Sequence, residues 1–428
     1  MTRERLVIIG AGMAAGRVLD HLTAEAPDRF DITLFNAEPR GSYNRIMLSP
    51  VLAGETAYER IITHDVEWYA RHGITTRFGE RVRGIDRTAR MVAGEQGHVT
   101  YDKLLIATGS RPVMIPLPGH DLEGVIGYRD LEDTMTMAGL APGTKVVVIG
   151  GGLLGLEAAG GMAARGVEVT VVHLMGHLME RQLDAEAAGL LRASLEAKGI
   201  KVLCDAQSEE ILGRNGRVAA LRLKDGTELP CELLIMAVGI RPVGALGQQA
   251  GLAHGRAIQV DDQMRTSDPD IFAVGECVEH QGTTFGLVAP LFDQAAVVAD
   301  TLLGREAAFV QKSLSTKLKV TGCDLFSAGD FADGERRENI IYRDLSRGIY
   351  KRLVIENDRL IGAVLYGETG DGPWFFDLIQ SAQDIGPMRD TLIFGPAYND
   401  TGGPPVDPLS AVAALPREAR CNGLSELR

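Results

Sequence analysis

Cysteine is scarce and unpaired in this sequence: Cys204, Cys231, Cys277, Cys323 and Cys421 form no CxxC or CxC spacing in 428 residues. An odd count without such spacing argues against a disulfide framework and points to a reducing, cytoplasmic setting. Long apolar runs are also missing. The most apolar long window, Val146 to Ala164, is broken by glycines and by Glu157, so it reads as strand, turn and buried helix and not as a membrane span. The start, MTRERLVIIGAG, shows no small-residue cleavage site behind a longer hydrophobic region, and no export signal is expected. Basic residues are outnumbered, 44 against 57 acidic ones, and the formal charge of -13 repels a phosphate backbone. Nucleic acid and membrane are therefore not expected partners.

What is present is glycine, 51 residues against a usual ~7% of a chain, on a background of 45% hydrophobic and 24% charged residues typical of a folded protein. The glycines locate a weak internal repeat. The apolar run Leu6 to Ile9 leads into GAGMAAG, and Val146 to Ile149 leads into GGGLLG. Each is followed by an Ala, Leu and Gly-rich helical stretch and then by a β-branched run, Ile32 to Phe35 and Val167 to Val172. Each copy closes with a matching segment, LLIATGSRPV (Leu104 to Val113) and LLIMAVGIRPV (Leu233 to Val243). These are two βαβ dinucleotide-binding units.

TSDPDIFAVGEC supplies a late strand ending at Gly275 and Glu276, followed by a helix-like run from Pro290 to Leu303. The simplest account returns this segment to the first domain and makes the second an insertion. Alternating runs beyond Arg305, with a hairpin turn at Glu356 to Asp358, predict a small α+β third domain. From Thr401 the TGGPPVDP stretch cannot continue an element, so a mobile tail is expected.

In a GxGxxG turn the first glycine permits the bend, the second lets a pyrophosphate approach, and the third allows close helix packing. The first copy offers Gly10, Gly12 and Ala15, the second Gly150, Gly152 and Gly155. The closing segments add Ala107, Thr108 and Gly109, and Gly239; the alternative for these glycines is a plain strand-to-loop turn. An acid at the end of the second strand usually holds the adenosine ribose. Here Asn36 stands at that place, with Glu38 two residues on as the ligand, and the second copy has His173. No arginine adjoins His173, Arg181 being farther on, so the choice between NADH and NADPH stays open. A half-buried strand-end histidine is the plain alternative for His173.

Two dinucleotide motifs, an ATG segment and a late GE strand resemble the two-dinucleotide-binding flavoprotein reductases, in which FAD occupies the first and third segments and NAD(P)H the inserted one. The segments SYNRIMLSPVLAGE (Ser42 to Glu55), IFAVGECVEHQGTTFGLVAPL (Ile271 to Leu291), TKLKVTGCDLFSAGD (Thr316 to Asp330) and RGIYKRLVIENDRLIGAVLYGETGD (Arg347 to Asp371) narrow the likeness. They are similar to the FAD/NAD module of the assimilatory NAD(P)H nitrite reductase large subunit and of assimilatory nitrate reductase electron-transfer subunits. The implied fold is α/β, with a Rossmann-like FAD domain (1–112 and 242–308), an inserted NAD(P)H domain (113–241), an α+β interface domain (309–400) and a tail (401–428).

That family commonly continues into an iron-sulfur region opened by CxCNG, whereas here Ala419, Arg420, Cys421, Asn422 and Gly423 leave one cysteine. One thiolate cannot hold a cluster that needs four ligands, so no iron-sulfur cluster and no other metal are expected. No cysteine precedes Cys204, which excludes disulfide-reductase chemistry beside the flavin.

The resemblance assigns roles. Arg45 stands near the flavin, where it stabilises the reduced form, and Glu157 lies near the nicotinamide and often pairs with that basic residue. The plain alternatives are a surface arginine and an acid favoured at a helix start. Glu276 accepts a ribityl hydroxyl, Val288 and Ala289 begin the helix facing the flavin pyrimidine, and Val82 meets the adenine. The implied activity is electron transfer from NADH or NADPH through FAD to a protein acceptor. That acceptor is a nitrate or nitrite reductase catalytic subunit or, alternatively, a ferredoxin- or rubredoxin-like protein. A homodimer is compatible with this reading, and a non-enzymatic flavin scaffold is the alternative from another class.

Overall fold

The computed structural model describes residues 3–313, 315–320 and 322–399, so the tail and Cys421 lie outside the described residues. The chain forms two compact units, Met1–His177 with Leu195–Lys312, and Leu178–Ser194 with the chain from Ser313 onward.

The first unit holds two parallel five-stranded sheets. One has the order Ile271–Ala273, Lys103–Ile106, Glu4–Ile9, Phe30–Asn36, Thr75–Phe78. The late strand Ile271–Ala273 thus joins the sheet begun by Glu4–Ile9.

 Its ladder partner is Lys103–Ile106, with Ile271 opposite Leu104 and Ala273 opposite Ile106, and the whole second sheet lies between the two in sequence.

The second sheet has the order Lys201–Leu203, Glu168–Val172, Lys145–Ile149, Leu233–Met236, Val125–Ile126. Both sheets carry continuous apolar strands because both faces of a parallel sheet are covered. Along Glu4–Ile9 the side chains alternate. Leu6 and Ile8 face the helices Met13–Glu25 and Val288–Leu302 through Val18, Leu19, Ala295 and Val298, while Val7 and Ile9 face Phe35, Val82 and Val92.

The two closing segments meet. Ser110–Pro112 and Ile240–Pro242 form an antiparallel two-stranded ribbon in which Arg111 stands opposite Arg241. Val113 N–H donates to Gly239 O at 3.0 Å, and Val243 N–H donates to Gly109 O at 2.9 Å.

The second unit is built on an antiparallel sheet of order Thr316–Val320, Cys323–Gly329, Arg359–Tyr366, Ile349–Glu356, Glu338–Asp344. Asn357 and Asp358, both at positive φ, close the hairpin between Ile349–Glu356 and Arg359–Tyr366. Helix Gly372–Ser381 covers one face through Phe375 and Leu378. Asp184 of the Leu178–Ser194 segment accepts from Tyr350 Oη at 2.7 Å and from Arg352 Nη1 at 3.2 Å. Among the described residues no helix is long and apolar enough to cross a membrane. The same residues contain no His, Cys, Asp or Glu group placed to hold a metal ion.

Candidate functional site

The two glycine loops are built alike. Gly10 (φ +103) follows strand Glu4–Ile9, and a Cβ there would collide with the Ala107 carbonyl oxygen. Gly150 (φ +121) follows Lys145–Ile149, and its Cβ would collide with Ala237 O. Gly12 and Gly152 begin the helices Met13–Glu25 and Leu153–Ala163, and a Cβ on either would meet nothing within 4 Å. At the third position they part: Ala15 is fully buried in the first loop, whereas a Cβ on Gly155 would collide with Gly150 O.

Helix ends in the chain differ in whether a side chain closes them. Asp65 and Asp130 cap the helices Val66–Arg71 and Leu131–Ala138 with their carboxylates. No side chain caps Met13–Glu25, Leu153–Ala163 or Val288–Leu302, and none carries an acid in its first turn. Three uncapped N-termini, two of them under an open glycine, suit phosphate and other anionic groups. The donor set and the open space fit two dinucleotides. Val288 and Ala289 form the start of the third such helix, half-buried and exposed respectively.

The strand-end side chains have a second use. Asn36 Oδ1 accepts from Ala11 N–H at 3.5 Å and its amide donates to Arg40 O at 2.7 Å. His173 Nδ1 accepts from Gly151 N–H at 3.1 Å. Both residues therefore brace the middle of their own glycine loop.

Around the first loop the charges are paired. Glu38 accepts from Tyr43 Oη at 2.9 Å and forms an ion pair with Arg45, whose Nη1 also donates to Arg129 O at 3.2 Å. Burial pushes the Tyr43 phenol up, so it remains the donor to Glu38. Glu276 is held by an ion pair to Arg129 and by Ser110 Oγ at 2.9 Å. Gly275 (φ +94) donates its N–H to Gln294 Oε1 at 2.9 Å. Thr108 Oγ1 donates to Val243 O at 2.6 Å, beside Ala107 and Gly109 (φ +66), and Gly239 (φ +113) occupies the matching place in the second copy. Val82 packs its side chain among Phe35 and Val92, leaving its main chain for any ligand.

Glu157 lies on helix Leu153–Ala163 and accepts from Ser49 Oγ at 2.6 Å. The pairing of Arg45 with Glu157 implied by the resemblance is not formed, because Arg45 is engaged by Glu38. Ser49 also meets Tyr128 Oη at 3.1 Å. Burial pushes the Glu157 carboxyl up while the Ser49 hydroxyl holds it down in part, and burial raises the Tyr128 phenol to about 12.

Sequence reasoning missed Arg129, Ser49 and Gln294. Arg129 carried one faint signal, its place just before the Asp130 helix cap. Ser49 lay inside the segment Ser42 to Glu55 that carried the resemblance, and Gln294 is a polar residue in an otherwise apolar helical run.

Residues 4–296 match the family model described as pyridine nucleotide-disulphide oxidoreductase, and residues 315–383 that described as the rubredoxin NAD+ reductase C-terminal domain. Nitrite reductase [NAD(P)H] of Bacillus subtilis (strain 168) is 43% identical over 432 residues, covering 100% of this chain and 53% of that protein. The assimilatory nitrate reductase electron transfer subunit of the same organism is 39% identical over 407 residues, 94% of this chain and 52% of that protein. The chain thus spans about half the length of these curated relatives. A solved ferredoxin reductase from Rhodopseudomonas palustris superposes with a TM-score of 0.78 at 26% identity, covering 91% of this chain and 100% of that one. The chain belongs to the pyridine nucleotide-disulphide oxidoreductase family and is an oxidoreductase that uses FAD and NAD(P)H.

Proposed function

We propose that this oxidoreductase passes electrons from NAD(P)H through FAD to a partner redox protein in assimilatory nitrate or nitrite reduction. The observation that carries the reading is the pair of like-built, uncapped glycine loops in one compact unit, which gives two dinucleotides separate cradles. The likeness to the nitrate reductase electron transfer subunit over 94% of this chain supports the same destination for the electrons.

FAD, when bound, would supply the hydride-accepting and electron-releasing chemistry between NAD(P)H and the acceptor. The chain's own residues bind and orient. The N–H groups at Gly12 and Gly152 receive the pyrophosphates. Glu276, fixed by Arg129 and Ser110, accepts a ribityl hydroxyl, and the N-terminus at Val288 and Ala289 offers N–H groups to the pyrimidine edge. Arg45 supplies positive charge beside the flavin while Glu38 fixes its position. Glu38 and His173 line the two adenosine ends, and Glu157 orients the nicotinamide. In this reading the tail supplies no cluster.

A second reading, reduction of a ferredoxin or rubredoxin, is favoured by the match of residues 315–383. The test is NADH consumption by the purified yellow protein with ferricyanide, oxygen, a co-encoded nitrate reductase and a ferredoxin, across a range of salt. Salt-sensitive acceleration by the nitrate reductase is expected. Acceleration by ferredoxin alone selects the second reading, and full turnover with oxygen alone overturns both.

A further inference from the structure

We propose that Ser49 is the positioning residue that holds Glu157 for the nicotinamide, with Tyr128 behind it. The proposal rests on the reading of Glu157 given above.

Helix Leu48–Ala53 lies in the connection that follows the second strand of the first repeat, yet it packs on helix Leu153–Ala163 of the second. Two contacts fix that packing. Leu52 fills the notch at Gly161, where a Cβ would lie 2.8 Å from Leu52 Cγ, and Ser49 reaches Glu157 at 2.6 Å. Residues 49 and 52 are one turn apart on their helix, as 157 and 161 are on theirs, so the apolar contact sets the register of the polar one.

The hydrogen bonds have a determined direction. A serine hydroxyl has one proton, and while it is donated to the Glu157 carboxylate, the 3.1 Å contact with Tyr128 must be filled by the Tyr128 proton. Tyr128 is 4% exposed, and Thr134 is the other side chain that meets its hydroxyl. The chain Tyr128 to Ser49 to Glu157 therefore orders the carboxylate without a cation. No ion pair joins Glu157 among the described residues, and a neutral donor leaves it able to change charge more easily than a guanidinium or ammonium would.

The charged surroundings are few. Helix Leu48–Ala53 brings no titratable side chain. The segment before Leu131–Ala138 brings Tyr128 with Asp133 behind it. Lys145 and Glu168 are paired neighbours at the first residues of the two strands packed under the helix. Removal of the Ser49 donor disfavours the ionised carboxylate, so any pH dependence set by Glu157 moves to higher pH.

The test uses holoenzyme and a redox-inert reduced-nicotinamide analogue, with its dissociation constant read from perturbation of the flavin absorbance between about pH 5 and 9. Wild type, Ser49→Ala, Ser49→Thr, Tyr128→Phe and Glu157→Gln are compared, and FAD content is measured for each. Glu157→Gln should weaken binding about tenfold at neutral pH and remove its pH dependence. Ser49→Ala should weaken binding about threefold to tenfold and move the pH midpoint upward, with Tyr128→Phe moving it less and Ser49→Thr restoring it. If Glu157→Gln changes neither affinity nor pH dependence, the reading of Glu157 has failed. If Glu157→Gln removes the dependence while Ser49→Ala and Tyr128→Phe leave the midpoint in place, the role of Ser49 is overturned and that reading stands.

Discussion

In the first glycine loop Gly10 N–H donates to Phe35 O at 2.8 Å and Ala107 N–H to Ile9 O at 2.8 Å; in the second, Gly150 donates to Val172 O at 2.9 Å and Ala237 to Ile149 O at 2.8 Å. The main chain of the two repeats is thus the same frame used twice. What differs is the surrounding charge. The first loop has the Glu38–Arg45 and Arg129–Glu276 ion pairs nearby, while the second has His173 on Gly151 and Glu157 on the neutral Ser49. The shared frame suits anion binding in both loops, and residues from other segments give the two loops different charge surroundings.

The sharpest break in the symmetry is the third loop position. Gly155→Ala should abolish the response to NADH, because the new Cβ collides with the Gly150 carbonyl, while FAD remains bound in the first loop. The mirror change, Ala15→Gly, should cost only about 0.5–1 kcal/mol of stability from added backbone freedom. Flavin content, thermal melting and NADH kinetics on both variants check this, and normal NADH kinetics for Gly155→Ala would show that the loop can widen.

The second position should separate folding from binding. A Cβ on Gly12 or Gly152 has open space, so the apoproteins of Gly12→Ala and Gly152→Ala should melt within about a degree or two of the parent apoprotein; an alanine cap costs about 1 kcal/mol relative to glycine. Binding should suffer in one loop at a time. Gly152→Ala should raise the KM for NADH about tenfold to a hundredfold with FAD retained, the scale of a misplaced reactant. Gly12→Ala should lose FAD on gel filtration.

A smaller effect is expected from charge. Arg45→Ala should keep its FAD but slow NADH-dependent flavin reduction about tenfold, since one preorganised electrostatic contact is lost. Glu38→Gln, which removes the partner and leaves the arginine, should slow it less. Stopped-flow reduction of both variants orders the effects, and equal rates in Arg45→Ala and wild type would return Arg45 to an ordinary surface role.

The frame was legible in the sequence because it is a local matter. Gly10 and Gly150 sit at positive φ against a carbonyl, which side-chain-bearing residues rarely tolerate, and the apolar runs Leu6 to Ile9 and Val146 to Ile149 mark strands covered on both faces. The pairings were not legible. Arg129 meets Glu276 across 147 residues and Ser49 meets Glu157 across 108, and such contacts are set by how helices pack, which no local pattern encodes. Arg45 and Glu38 are close in sequence, yet the likeness to related reductases directed Arg45 toward Glu157. The grouping of Leu178–Ser194 with the C-terminal sheet depends likewise on Asp184 reaching Arg352, 168 residues away.

The finest distinction concerns the strand-end residue, where each repeat has replaced the usual ribose-binding acid. Asn36 and His173 each accept a hydrogen bond from the middle residue of their own loop, Ala11 and Gly151. An amide oxygen and an imidazole nitrogen are both neutral acceptors, so His173→Asn installs the first repeat's solution in the second. It should change the KM for NADH by no more than about threefold, since a single neutral hydrogen bond is worth about 1 kcal/mol and here it is replaced, not lost. His173→Leu keeps the bulk and removes the acceptor. It leaves the buried Gly151 N–H without its imidazole partner and should raise the KM about fivefold to thirtyfold, the size of an unsatisfied donor. Steady-state kinetics with NADH and NADPH on both variants measure the bracing of the loop directly. Equal KM values for Asn and Leu would mean that the bond to Gly151 contributes nothing and that the two repeats share a frame without sharing a way of holding it.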